Sequence, residues 1–276
     1  MILSPFTPLF FSNHKRDGID STYIQTFSST DEILIELIGE ENWIGVAQVF
    51  IEPKHEMLYP IRWNTWQINE ETFLRFATVS LAPGYYSIRI SGFGTSNVFR
   101  VTDDPHILEK TTLIQYSMNN NRQRKDAIFF IDGMQRFFDF RVPGGFKDSN
   151  WTFAVEGEQF VTDESDIVQL YGLDSTQKKF TLGNSEGCPV WFAELLNRLL
   201  CCSYVYFDGE RYARKDTSVP ETTVLLEGVN SFVFTQNLQR VINIDPALTM
   251  EHQAIMRRVD SSDFRLATTN INRLIN

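Results

Sequence analysis

The chain has 276 residues, 13% of them aromatic with 23 Phe, and a formal net charge of −10. That length admits two domains or one large β domain and builds cores without disulfide staples, while the aromatic load favours pleated, half-buried surfaces. The acidic balance argues against nucleic acid as the main partner, because duplex binding draws on a basic face, and three cysteines make no disulfide framework.

Residues 1–20 begin apolar but contain Pro5 and Pro8 and end at the turn-like Asp17-Gly18. They lack a basic leader and a small-residue cleavage site, so they do not read as a signal peptide. The expectation is an extended N-terminal arm that packs on a neighbouring subunit, in a chain made in the cytoplasm. No apolar run approaches the ~18 residues that span a bilayer, so no membrane partner is expected.

Short alternating runs follow: Glu32 to Ile38, Trp43 to Ile51, Ile61 to Ile68, Phe73 to Val79, Tyr86 to Ile90 and Val98 to Val101. Pro and Gly punctuate them. This spacing predicts a β-sandwich over 21–105. Leu81 and Tyr86 bracket the Pro83-Gly84 turn, where a buried tyrosine can bond its hydroxyl back to nearby backbone. Ile88 and Ile90 should face the core, with Ser87 and Arg89 facing solvent.

The second region, 106–240, reads as a further β-rich domain. Strands are expected at Thr111–Tyr116, Ala127–Ile131, Arg136–Val142, Trp151–Val155, Phe160–Val161 and Lys179–Leu182, with turns at 119–126 and Pro143-Gly144-Gly145. One helix, 188–200, has Pro189 at its start and apolar residues at i, i+4 (Trp191, Leu195, Leu199 and Phe192, Leu196, Leu200), which predicts a helix buried on a sheet. Glu194 and Arg198 form an i, i+4 pair on its other side. Asp208-Gly209 between Tyr204–Phe207 and Glu210–Ala213 predicts a tight hairpin. Two β runs, Thr222–Glu227 and Ser231–Phe234, complete the region. From 241 to 276 the pattern predicts a helix starting at Asp245-Pro246, then a polar arm.

No reaction is legible. His14, His55, His106 and His252 are scattered, without metal-ligand spacing, and no cofactor is expected. Asp103-Asp104 and Asp163-Glu164-Ser165-Asp166 read as solvated loops. The glycines of Gly183-Asn184-Ser185-Glu186-Gly187 let a strand turn into a helix; the Lys-Ser/Thr ending of a phosphate loop is missing. Cys188, Cys201 and Cys202 read as buried reduced thiols. Glu156 and Glu158 form one of many carboxylate pairs that a glycosidase could use. Trp43, Trp63, Trp66 and Tyr85 are mostly core candidates, and Trp63 and Trp66 are the candidate glycan contacts.

Asn121-Arg122-Gln123-Arg124, the run from Phe137 to Phe146, Leu182 to Trp191 and Asp208 to Tyr212 together resemble uncharacterised proteins of tailed phages and prophages of Bacteroidetes-type bacteria. The resemblance spans roughly 80–240. It implies a virion component of the tail or its tip, without enzymatic activity, partnered by copies of itself in a ring-like homo-oligomer and by other virion proteins. The expected architecture is mainly β, a sandwich joined to a second β-rich domain with one buried helix and extended terminal arms. The alternative function is a carbohydrate-binding or receptor-recognition module whose ligand is a surface glycan.

Overall fold

The computed structural model describes residues 2–11, 23–40, 46–121, 126–131, 133–163, 165–184, 187–215, 221–226 and 231–241. Among these, nineteen strands and two helices follow the alternation of the sequence. The first ten strands are β1 (Ile2–Leu3), β2 (Gln25–Phe27), β3 (Ile33–Glu40), β4 (Ala47–Ile51), β5 (Glu56–Ile61), β6 (Asn64–Gln67), β7 (Thr72–Val79), β8 (Gly84–Ile90), β9 (Gly94–Thr95) and β10 (Phe99–Val101). They form two sheets, ordered β1-β3-β7-β6 and β2-β10-β8-β4-β5, with β9 on β8. Facing side chains such as Ile35, Ala77, Val49, Ile88 and Phe99 fill the sandwich between them.

The Tyr86 corner forms as the Pro-Gly turn predicts. Tyr86 is buried and its hydroxyl donates to the Ala82 carbonyl at 3.0 Å. Ser87 departs from expectation: it is buried and donates to the Glu52 carboxylate at 2.7 Å. Arg89 is exposed as expected, with its guanidinium 4.5 Å from the Phe50 ring centre. The run from Ile61 to Ile68 is broken, and β5 begins earlier, at Glu56. Pro60 sits inside β5 because that strand is the sheet edge, where a missing N–H costs no ladder bond.

Strand β3 is buried on both faces. Ile33, Ile35 and Leu37 enter the sandwich core, while Leu34 joins the core of the second region, as do Leu74 and Phe76 of β7. The sheet is thus a middle layer, which explains the nearly unbroken apolar run Ile33–Ile38.

The second region contains α1 (Pro105–Leu108), β11 (Thr111–Ser117), β12 (Phe130–Ile131), β13 (Met134–Gln135), β14 (Phe138–Val161), β15 (Ile167–Leu182), α2 (Val190–Leu199), β16 (Tyr204–Phe207), β17 (Glu210–Arg214), β18 (Glu221–Leu226) and β19 (Ser231–Arg240). Antiparallel pairing runs β11–β14–β15–β19–β17–β16 and returns to β11. Six strands therefore close a barrel, which removes their free edges where they pair. Phe140, Phe180, Phe207, Tyr212 and Leu238 belong to its core, and α2 adds Trp191, Phe192, Leu195, Leu196 and Leu199. The Asp208-Gly209 hairpin forms with both residues at positive φ, 49° and 87°, the pairing of signs that a two-residue turn of this hand requires.

Two expectations fail here. The Pro143-Gly144-Gly145 segment lies within β14, paired with β11 and β15. Gly144 is there at φ 120° because an added Cβ would run into the Thr181 carbonyl of the next strand. The N-terminal arm also packs on its own chain. Leu3, Leu9 and Phe11 enter the sandwich core, Phe6 stacks on Tyr116 at 5.9 Å, and Phe10 stacks on Trp191 at 6.0 Å. An apolar segment this close to two unfinished cores satisfies them directly. Residues 12–20 and the predicted C-terminal helix and arm, 242–276, lie outside the described residues.

Candidate functional site

Strands β14 and β15 outrun the barrel. Beyond the Phe146–Phe180 pair they continue together, Trp151–Val161 against Ile167–Lys178, and past Gln177, the last β15 residue paired with β19, they form a two-stranded arm. Alternation places Trp151, Phe153 and Val155 on one face, opposite Lys178, Thr176 and Asp174. At the arm's root the Lys178 ammonium lies 3.6 Å from the Trp151 ring centre and 5.3 Å from that of Phe146. Trp151 and Phe153 stack with their planes 12° apart, so the ring row is ordered from the barrel outward.

The arm leaves its apolar side chains in solvent. Phe153 is 77% exposed and Val155 70%, and Phe160, Val161, Ile167 and Leu170 are exposed as well. Among the described residues neither outer edge of Trp151–Val161 or Ile167–Thr176 pairs with another strand. An isolated two-stranded ribbon is marginal in water, and open edges with apolar faces invite another chain. Charge follows the same boundary: residues 148–177 hold seven Asp and Glu and no Lys or Arg. The Asp163–Asp166 cluster is the arm's tip, closed by Thr162 N–H donating to the Asp166 carbonyl at 2.8 Å. Among the described residues no group of three His, Cys, Asp or Glu could hold a metal ion, and no helix is long and apolar enough to cross a membrane.

The two candidate glycan residues part company. Trp63 is half-buried against the sandwich core, whereas Trp66 is 41% exposed on the edge strand β6. Tyr85 is exposed, and Trp43 lies outside the described residues. A surface pocket of about 590 Å³ opens on the barrel instead, lined by Glu109, Lys110, Gly145, Phe146, Lys147 and Val233 among others, and neither tryptophan reaches it. Glu158 is exposed on the arm, and the Glu156 side chain lies outside the described residues. Gly183 and Gly187 press against β19: an added Cβ would meet the Phe232 carbonyl at 2.6 Å and crowd Ser231 Oγ, respectively. Strand-to-loop packing accounts for those glycines. All three cysteines are free thiols, but only Cys188 is buried; Cys201 is exposed and Cys202 intermediate, because α2 ends before them.

One buried carboxyl lies between the two cores. Burial pushes Glu36 up to about 8, and Asp126 adds to the rise, while hydrogen bonds from the Ser4 hydroxyl and the Ile128 N–H partly offset it. Its Oε2 accepts from Ser4 Oγ at 2.9 Å; Oε1 has no hydrogen-bond partner among the described residues. The Ser4 bond to Glu36 ties the N-terminal segment to the middle sheet.

No family model matches the chain, and no curated protein matches it. Among solved structures, a crystal structure of Dpr2 Ig1-Ig2 in complex with DIP-Theta Ig1-Ig3 aligns with 82% of this chain and 89% of that chain at 8% identity, with a TM-score of 0.18. A superposition at that level carries no argument. The β-sandwich rests on the strand pairings themselves.

Proposed function

We propose that this protein is a non-enzymatic structural component of a bacteriophage virion, in the tail or its distal tip complex, acting through subunit–subunit interfaces. The exposed arm carries this reading. A barrel that projects an apolar, acidic ribbon, with outer edges unpaired among the described residues, is suited to be completed by another chain. The resemblance of residues 80–240 to virion proteins supports the setting, and a ring-like homo-oligomer with further virion proteins supplies the partners.

Two measurements test it. Mass spectrometry of gradient-purified phage particles should find the protein at a fixed ratio to known virion proteins, and antibodies against it should label the tail. Particles that lack it would end the virion reading. Carbohydrate binding keeps one observation in its favour, the exposed Trp66 on a sheet edge. Glycan-array binding abolished by Trp66→Ala would move the assignment there.

A further inference from the structure

The arm's partner has a recognisable chemistry. Its docking face combines Phe153 and Val155 with Asp174, which lies directly across from Val155. The segment around it is uniformly acidic, as counted above. The body from which it springs is the opposite: residues 105–147 and 178–241 together hold fourteen Lys and Arg against eleven Asp and Glu. The barrel pocket has an apolar lining from Phe146 and Val233 and two lysines, Lys110 and Lys147, beside one acid, Glu109. A lining that is apolar at Phe146 and Val233 and carries more base than acid matches the apolar, acidic arm in both respects.

The arm does not serve its own pocket. Thr176, opposite Phe153, lies five residues along β15 from Thr181 of the pocket wall. In an extended strand that is roughly 16 Å, and the ribbon runs onward from there. The tip is farther still.

We infer that the arm of one copy docks in the Lys110–Lys147 pocket of the next copy, with Phe153 and Val155 on the apolar lining and Asp174 facing the lysines. This rests on the assembly reading above and names its contact. The interface is heterologous, head to tail, so every subunit offers one arm and one pocket. Repetition closes a ring or extends a filament. Charge across the contact steers encounter and fixes register.

The experiment is light scattering on the full chain. Wild type should have a mass several times the 32.0 kDa chain. An arm variant, Phe153→Ser with Val155→Ser, and a pocket variant, Lys110→Glu with Lys147→Glu, should each fall to a single chain with unchanged circular dichroism. Mixed one to one, they should recover a pair of chains and no more, because one intact arm then meets one intact pocket. Asp174→Lys is a surface change that spares folding; it should also dissociate the oligomer, and Lys147→Glu in the same chain should restore it. Monomeric wild type, variants of wild-type mass, or a mixture that stays monomeric overturns the contact. Virions containing a protein whose oligomer ignores the arm would defeat this contact and leave the virion reading. An arm-dependent oligomer absent from virions would defeat the virion reading and leave the contact.

Discussion

The Arg141 guanidinium holds the Asp31 carboxylate through two bonds, Nε to Oδ2 at 2.6 Å and Nη2 to Oδ1 at 2.8 Å. Asp31 precedes β3 of the sandwich and Arg141 lies on β14 of the barrel, so a paired, buried charge spans the two halves. Its surroundings complete the shell. Asp31 Oδ2 also accepts from Ser28 N–H at 2.8 Å, and Arg141 Nη1 donates to Thr111 Oγ1 at 3.2 Å. Beside it Asp139 accepts from Glu32 N–H and Gln115 Nε2. The arm continues the same strand as Arg141, beyond a register irregularity between Phe146 and Trp151.

Removing one partner strands the other charge. Arg141→Met should therefore destabilise the protein by about 3–5 kcal/mol, as breaking a buried pair does elsewhere. Asp31→Leu combined with Arg141→Met should cost much less than the sum of the single changes. Urea unfolding of the four proteins of the cycle measures this. Additive costs would mean that the pair contributes no coupling between the halves.

The Tyr86 corner depends on an absent side chain. A Cβ at Gly84 would lie 2.9 Å from the Tyr86 hydroxyl and 3.1 Å from the ring carbon bearing it. Gly84→Ala must therefore lift the ring off the turn and break the bond to Ala82. Tyr86→Phe keeps the ring and loses only that bond, a cost of about 1 kcal/mol. Thermal melts should rank Gly84→Ala below Tyr86→Phe, and both below wild type. A Gly84→Ala protein that melts with wild type would show that the ring is free to move.

The corner, the Asp208-Gly209 hairpin and α2 were legible because each is a local device, with its chemistry inside a few consecutive residues. Features made by distant pairing were not. Pro143-Gly144-Gly145 carries a turn composition, but its glycine is needed for the approach of Thr181, 37 positions away. Barrel closure rests on β15 meeting β19, from Gln177–Gln239 to Leu182–Phe234, and nothing local announces that register. The alternation of Trp151, Phe153 and Val155 is readable as a strand. Periodicity assigns those residues to one face, but it does not say whether the same chain covers that face.

The N-terminal segment belongs to folding more than to assembly. Phe6 is fully buried, stacks on Tyr116 and meets the Phe129 ring edge-on at 5.8 Å; its carbonyl accepts from Tyr116 Oη at 3.1 Å. Arg198 of α2 reaches over to the Pro5 carbonyl at 3.0 Å. Phe6→Ala should cost about 3–5 kcal/mol through the cavity it leaves. The oligomer mass at low temperature should not change. Denaturant unfolding paired with light scattering checks both, and loss of the oligomer from a fully folded Phe6→Ala protein would return the segment to an assembly role.

Glu36 makes stability depend on pH with a defined sign. Its carboxyl is raised to about 8 in the folded chain from an ordinary 4.5. Between those values the folded state binds more protons than the unfolded state, so stability falls as pH rises. The slope in that window reaches about 1.4 kcal/mol per pH unit. Asp126, whose charge raises Glu36, and Tyr116, itself raised by burial and by Glu36, face the same site. The Ser4 hydroxyl lies 2.9 Å from Glu36 Oε2 and 2.7 Å from the Asp126 carbonyl, and its bond to Glu36 favours the ionised form, which partly offsets the effect of burial. Glu36→Gln keeps the shape and removes the proton. The difference in unfolding free energy between Glu36→Gln and wild type should therefore shift in favour of the variant from pH 5.5 to 7 and again to 8.5. A difference that stays constant over that range would mean that Glu36 does not titrate there, because the folded chain then holds its carboxyl near the unfolded value.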